Sequence, residues 1–277
     1  FPEMKYPLPA YFSLTFIISW GAILLVAGPG GVPATPEQTQ NLLPVMVLVM
    51  LLGPSIAGIL MTGLVDGRPG YREMLARLLT WRVDVRWYAI ALLTGPVLLT
   101  GTLYVLSFTS PAFIPGIFTA EDKVTLLLIG IGYGLGAGIF EEIGWTGYAV
   151  PRLRRKYGVM MTGIVLGVIW GVWHFLANYW GSGDAAGRLD LGLFLPAPVF
   201  ALLILPAYRV LMVWVYQHTG SLLISMLMHM SLTGPWLILT PAGISGADFL
   251  SWYIVLAVAM WVAVAVVAIK NREIMAA

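Results

Sequence analysis

Four side chains able to move protons stand in otherwise apolar surroundings: Glu141 and Glu142, adjacent in GIFEEIGWTGYAVPRL, His174 in WGVWHF, and His229 in SLLISMLMHMSLT. An ionisable group inside a membrane span costs at least about 2.5–3.5 kcal/mol on insertion scales, so such groups rarely face lipid and usually mark a site. Burial among apolar helices disfavours a charged carboxylate, which suits it to take a proton from water and return it. Two adjacent acids reinforce this, because like charges at close range resist ionising together. The plain alternative is an acid pair solvated at the membrane surface or paired with Arg152 or Arg154. A lone membrane histidine is an ordinary interhelical hydrogen-bond donor, but two of them together with two acids point to a functional site. His218, following Gln217, belongs to no such pattern and reads as an interfacial residue. The absence of cysteine excludes disulfides, thiol nucleophiles, iron-sulfur clusters and thiolate zinc sites.

Membrane helices must position these groups. Of 277 residues, 59% are apolar and 10% charged, which implies an all-α, polytopic membrane bundle forming a single domain over residues 1–277. Apolar runs near 9–27, 42–65, 87–108, 124–150, 159–180, 191–216, 220–240 and 249–269 give eight transmembrane helices. Thirteen of the fifteen basic residues sort to one side: Lys5, the five arginines from Arg68 to Arg86, Arg152, Arg154, Arg155, Lys156, Arg209, Lys270 and Arg272. Only Lys123 and Arg188 fall opposite, so the positive-inside rule makes both termini cytoplasmic. The net charge of +2 is small and confined to short loops, which argues against nucleic acid and for the lipid bilayer as partner. The run from Tyr11 to Val26 follows Lys5 without a clear small-residue cleavage site and reads as a retained helix. DGRPGYREMLARLLTWRVDVRW reads as an amphipathic surface helix with Met74, Leu75, Leu78 and Leu79 towards lipid, or as a charged loop.

Glycine spacing predicts close helix contacts. Gly130, Gly134 and Gly138 form a stripe that continues to Glu142, and Gly163, Gly167 and Gly171 form another that ends just before His174 and Phe175. The fourth and fifth spans are therefore expected to be neighbours. A nucleotide-binding reading of these glycines fails because no strand–helix unit surrounds them. In a simple hairpin about residues 154 and 155, His174 lies about 10 Å along the axis from Glu142, a gap that a kink or early end at Gly144 or Gly147 would close.

Taken in order, the motifs resemble the CPBP family of CAAX prenyl endopeptidases and bacteriocin-processing membrane proteins. That family carries a Glu-Glu pair followed by three residues and an Arg, an aromatic four residues before a His, and a His four residues before an Asn or Asp. EEIGWTGYAVPRL, WGVWH and SLLISMLMHMSLT match these over roughly 125–235 through Glu141, Glu142, Trp170, His174 and His229. Thr146 stands at the usual Arg and Thr233 at the usual Asn or Asp, which puts activity in question.

The resemblance implies an intramembrane endopeptidase with glutamate-activated water, Glu141 as the base and Glu142 beside it as orienting or alternative base. It gives His174 and His229 the task of positioning the water or stabilising an oxyanion, with no metal. Trp170 and Asn178 flank His174 by one turn, Ser225 and Thr233 flank His229, and with Thr146 they are the expected site walls. The substrate is expected to be a peptide or membrane protein reaching the site from the cytoplasmic side, in a prokaryotic cytoplasmic membrane. Two alternatives stay open: a Zn hydrolase using His174, His229 and Glu141, and a non-catalytic scaffold or immunity-type protein with a membrane-protein partner, which the two threonines favour.

Overall fold

The computed structural model describes residues 6–276; Lys5, one of the basic residues counted above, lies outside them. Among the described residues the eight apolar runs form the spans Pro7–Ala27, Pro36–Val65, Val85–Ser107, Lys123–Leu153, Val159–Trp180, Leu191–Thr219, Leu222–Leu239 and Gly246–Lys270. Their starts are where side-chain oxygens can take up unpaired backbone N–H groups. Thr35 and Gln38 make a reciprocal capping box on the second span. Asp84, Asp122, Ser221 and Ser245 cap the third, fourth, seventh and eighth.

The first span belongs to the bundle: Ser19 Oγ donates to Met50 O at 2.7 Å and Trp20 Nε1 to Trp173 O at 2.9 Å. Both glycine stripes are contact faces, but their partners differ from the expected pairing of fourth with fifth span. A Cβ on Gly138 would meet Met226 O of the seventh span at 2.5 Å, and one on Gly171 would meet Ala201 O of the sixth at 1.9 Å. The reason is geometric: each stripe needs a facing backbone, and the fourth and fifth spans turn their stripes to different neighbours. Gly171→Ala should therefore cost about 1–3 kcal/mol by overpacking. Gly132→Ala, with nothing within 4 Å of its added Cβ, should be neutral or stabilising. Thermal melting in detergent measures both.

The fourth span does not end at Gly144 but continues through a π-helical turn, Trp145–Ala149, to Leu153. A second π-turn, Phe200–Ile204, interrupts the sixth span opposite Gly171. Such turns are frequent at functional sites.

The bundle has two distinct ends. One is tied by the Arg152–Asp66 ion pair, by Arg154 Nε to Gln217 Oε1 at 3.1 Å, and by Ser221 Oγ to Thr80 O at 2.6 Å. The connecting helix Gly67–Leu78 lies there with Leu75 exposed. Met74, expected towards lipid, instead points towards the π-turn, where its Cε would lie 3.5 Å from a Cβ added at Gly147, and Arg77 reaches Tyr216 at 3.1 Å. His218 also lies at this end, its ring 4.6 Å from that of Trp87. The other end holds the 28–35 and 181–190 connections, joined by Ala34 N to Trp180 O at 2.8 Å. Arg209 belongs to neither: it sits inside the sixth span with none of its surface exposed, so it is not one of the topology-setting loop residues it was counted among.

Candidate active site

Three spans bring the motif side chains together. The glycine stripe of the fourth span presses it against the seventh, which sets Glu142 beside His229, Oε1 accepting from Nδ1 at 2.7 Å. One residue back, about 100° around the helix, Glu141 faces the fifth span instead. Its Oε2 accepts from Trp170 Nε1 at 2.6 Å and from Trp145 Nε1 at 3.2 Å. Glu141 Oε1 lies 3.7 Å from His229 Nε2. Because a carboxylate holds its Nδ1, a neutral His229 keeps that proton and presents Nε2 as an acceptor.

The axial gap expected between Glu142 and His174 is spanned by Trp170. Its indole nitrogen meets Glu141, while its backbone oxygen, one turn below His174, accepts from His174 Nδ1 at 2.8 Å. His174 touches neither carboxylate by hydrogen bond; it stands one turn above them.

Glu141, Trp170, His174, Asn178, His229 and Thr233 line one cavity of about 220 Å³, whose remaining walls are mostly apolar, among them Met46, Met50, Phe200 and Trp236. Glu142, Thr146 and Ser225 lie outside it. Ser225 Oγ turns to its own helix at Ser221 O, 3.3 Å away. Thr146 Oγ1 makes a short hydrogen bond to Glu142 Oε2 behind the cavity.

The same Glu142 oxygen accepts from Arg209 Nη1 at 2.8 Å, and both side chains are fully buried. The guanidinium carbon lies 4.1 Å from the centroid of the Trp170 ring. Arg209 is thus clamped between the face of Trp170 and Glu142, and Glu142 in turn holds His229. Sequence reading missed this residue as part of the site, although a lone arginine inside an apolar run carried the same intramembrane cost that singled out the glutamates. Trp145 had no such signal.

The cavity's lining extends towards the end of the bundle opposite the arginine-rich connections, through Thr39 and Leu43 of the second span and Asn178 and Gly181 at the end of the fifth. Towards the arginine-rich end the space beside the cavity is filled by Glu142, Trp145, Thr146 and Arg209, none more than 2% exposed.

Residues 123–234 match the family described as type II CAAX prenyl endopeptidase Rce1-like. The chain is also similar to the curated CAAX prenyl protease 2 of Methanococcus maripaludis, 24% identical over 177 residues, a stretch that spans 62% of this chain and 62% of that protein's length. The matched segment contains the Glu pair and both cavity histidines, so the similarity covers the site, and its eight long apolar helices make the chain an integral, multi-pass membrane protein.

Proposed function

We propose that the chain is an intramembrane endopeptidase in which Glu141 activates water against a peptide bond. The observation that carries this reading is the pair of acceptors on the cavity wall, Glu141 Oε1 and His229 Nε2, 3.7 Å apart. A water donating one hydrogen to each would turn its lone pairs towards a bound carbonyl. Glu141 takes the proton as the oxygen attacks and returns it to the leaving amine. Glu142 lies outside the cavity and acts on His229, not on water, which supports Glu141 as the base. His174 donates its Nδ1 proton to Trp170, so as a neutral ring it too presents an acceptor. Asn178 and Thr233, which line the same cavity, supply donors for the oxyanion in any protonation state.

A zinc-dependent hydrolysis would call on His174, His229 and Glu141. Each histidine has its other ring nitrogen tied, to Trp170 O or to Glu142, as metal-ligating histidines do. Among the described residues, however, no three such side chains converge as a metal-binding group, and the metal-free reading is preferred. Cleavage of membrane-anchored peptide reporters by the purified chain in liposomes tests the proposal. Activity should persist after prolonged chelation. Its loss on chelation with recovery on added zinc would transfer the site to the metal reading, and inertness towards a broad peptide panel would leave the scaffold reading.

A further inference from the structure

We propose that the groove between the connecting helix Gly67–Leu78 and the end of the fourth span binds the phosphate of an anionic phospholipid, at a site separate from the Glu141 cavity. Two helices build it. Asp66, Gly70, Glu73 and Arg77, spaced four, three and four residues apart, form one face of the connecting helix and its cap. Gly147 and Pro151, then Arg152 and Arg155, face them from the π-turn and the residues that follow it. Gly70 is pressed against the second span, where an added Cβ would meet Thr62 Cγ2 at 2.9 Å. The space left between the two walls is about 30 Å³, room for a compact charged group and none for a peptide strand or an acyl chain.

Three guanidiniums and two carboxylates set the chemistry of this space. Asp66 pairs with Arg152, whose Nη1 also donates to Tyr148 O at 3.0 Å. Arg77 donates to the Tyr216 hydroxyl at 3.1 Å and lies 3.8 Å from Glu73, whose side chain is largely in solvent. Arg155 alone of the three arginines has no side-chain partner among the described residues. The groove thus keeps one positive charge in excess, which a single phosphodiester neutralises. Guanidinium donors lie in a planar fork that matches a pair of phosphate oxygens, so Arg155 can hold the anion while Arg152 stays on Asp66.

The adjoining face of the connecting helix says that the phosphate belongs to a lipid. Tyr71, Leu75 and Leu79, with Trp81 just beyond, are all exposed. Apolar side chains on one face of a helix that is polar on the other lie at the headgroup–acyl boundary, and exposed Tyr and Trp sit at headgroup level. The groove therefore lies at the depth of the lipid phosphates, and the acyl chains of a lipid seated in it run beside Leu75 and Leu79. Arg68 and Arg72 on the same helix, and Lys156 next to Arg155, favour an anionic headgroup over a zwitterionic one, as in other basic pockets between membrane helices. The proposal does not rest on the endopeptidase reading.

Native mass spectrometry of the purified chain with equimolar phosphatidylglycerol and phosphatidylcholine tests binding, and thermal melting with either lipid or with inorganic phosphate tests its effect. The expected result is one phosphatidylglycerol retained per chain in preference to phosphatidylcholine, with a higher melting temperature that inorganic phosphate does not reproduce. Arg155→Ala breaks no pair and should melt like the parent in phosphatidylcholine. Its retention of phosphatidylglycerol should fall about tenfold or more, the loss of a charge-assisted hydrogen-bonding group. Lys156→Ala, next in sequence but outside the groove, should keep most of it. Equal stabilisation by the two lipids, or equal losses in Arg155→Ala and Lys156→Ala, would reduce the effect to diffuse surface charge and overturn the proposal. Stabilisation by inorganic phosphate as strong as by the lipid overturns the lipid assignment in favour of a free anion.

Discussion

Glu141→Gln should abolish reporter cleavage and leave the protein folded. Glutamine keeps the side-chain length and an oxygen that can still accept from the indoles of Trp145 and Trp170. What it removes is the capacity to take a proton from water, a contribution of about 10²–10⁴-fold for a positioned general base. Cleavage rate and thermal melting measured on the same preparation separate the two consequences. A variant that melts like the parent and cleaves at the parental rate would place the base elsewhere.

Arg209→Leu should act mainly through stability. Removing one partner from a buried ion pair leaves an uncompensated charge, typically at a cost of about 3–5 kcal/mol, and here Glu142 would lose the guanidinium that meets it at 2.8 Å. Hydrophobic replacement also strips the cation from the face of Trp170, the residue whose indole holds Glu141. The departure at Thr146 supplies the control. Its hydroxyl already touches the Glu142 oxygen that Arg209 meets, at the position where the resembled family usually has arginine. Thr146→Arg placed in the Arg209→Leu chain should therefore recover part of the lost melting temperature and of the activity. Thr146→Arg alone, crowding two cations onto one carboxylate, should be harmful. Equal melting of Arg209→Leu and the parent, or no recovery in the double variant, would sink this account.

The architecture was legible because lipid imposes a coarse code: each span needs a long apolar run, and every run so identified became a helix. The Glu pair and two histidines were legible for the complementary reason that polar groups in such runs are expensive. Partner choice was not. A small-residue stripe states that a backbone comes close without saying which one, so the stripes of the fourth and fifth spans were paired with each other rather than with the seventh and sixth. Arg209 was misread because arginine is also the commonest topology signal, and only the structure separates a loop cation from a buried one. Met74 illustrates the limit of amphipathic reasoning, since the inward face of a surface helix packs on whatever the π-turn leaves open, here Gly147.

The π-turn at Trp145–Ala149 is what a single extra residue looks like once absorbed into a helix. Above it the fourth span aims Glu141 and Glu142 at Trp170 and His229; below it the same span aims Arg152 at Asp66. Each residue of a regular helix turns it by about 100°, so the same extra residue carried in regular geometry would put these two halves out of phase by more than a quarter turn. The wide turn takes it up locally, and both the proton-handling groups and the Arg152 tether keep their aim. A further residue inserted between Glu142 and Arg152 would have no second wide turn to absorb it, so chain length there is constrained in the way a cam is keyed to its shaft, while the loop over 181–190 carries no such angular constraint on the carboxylates.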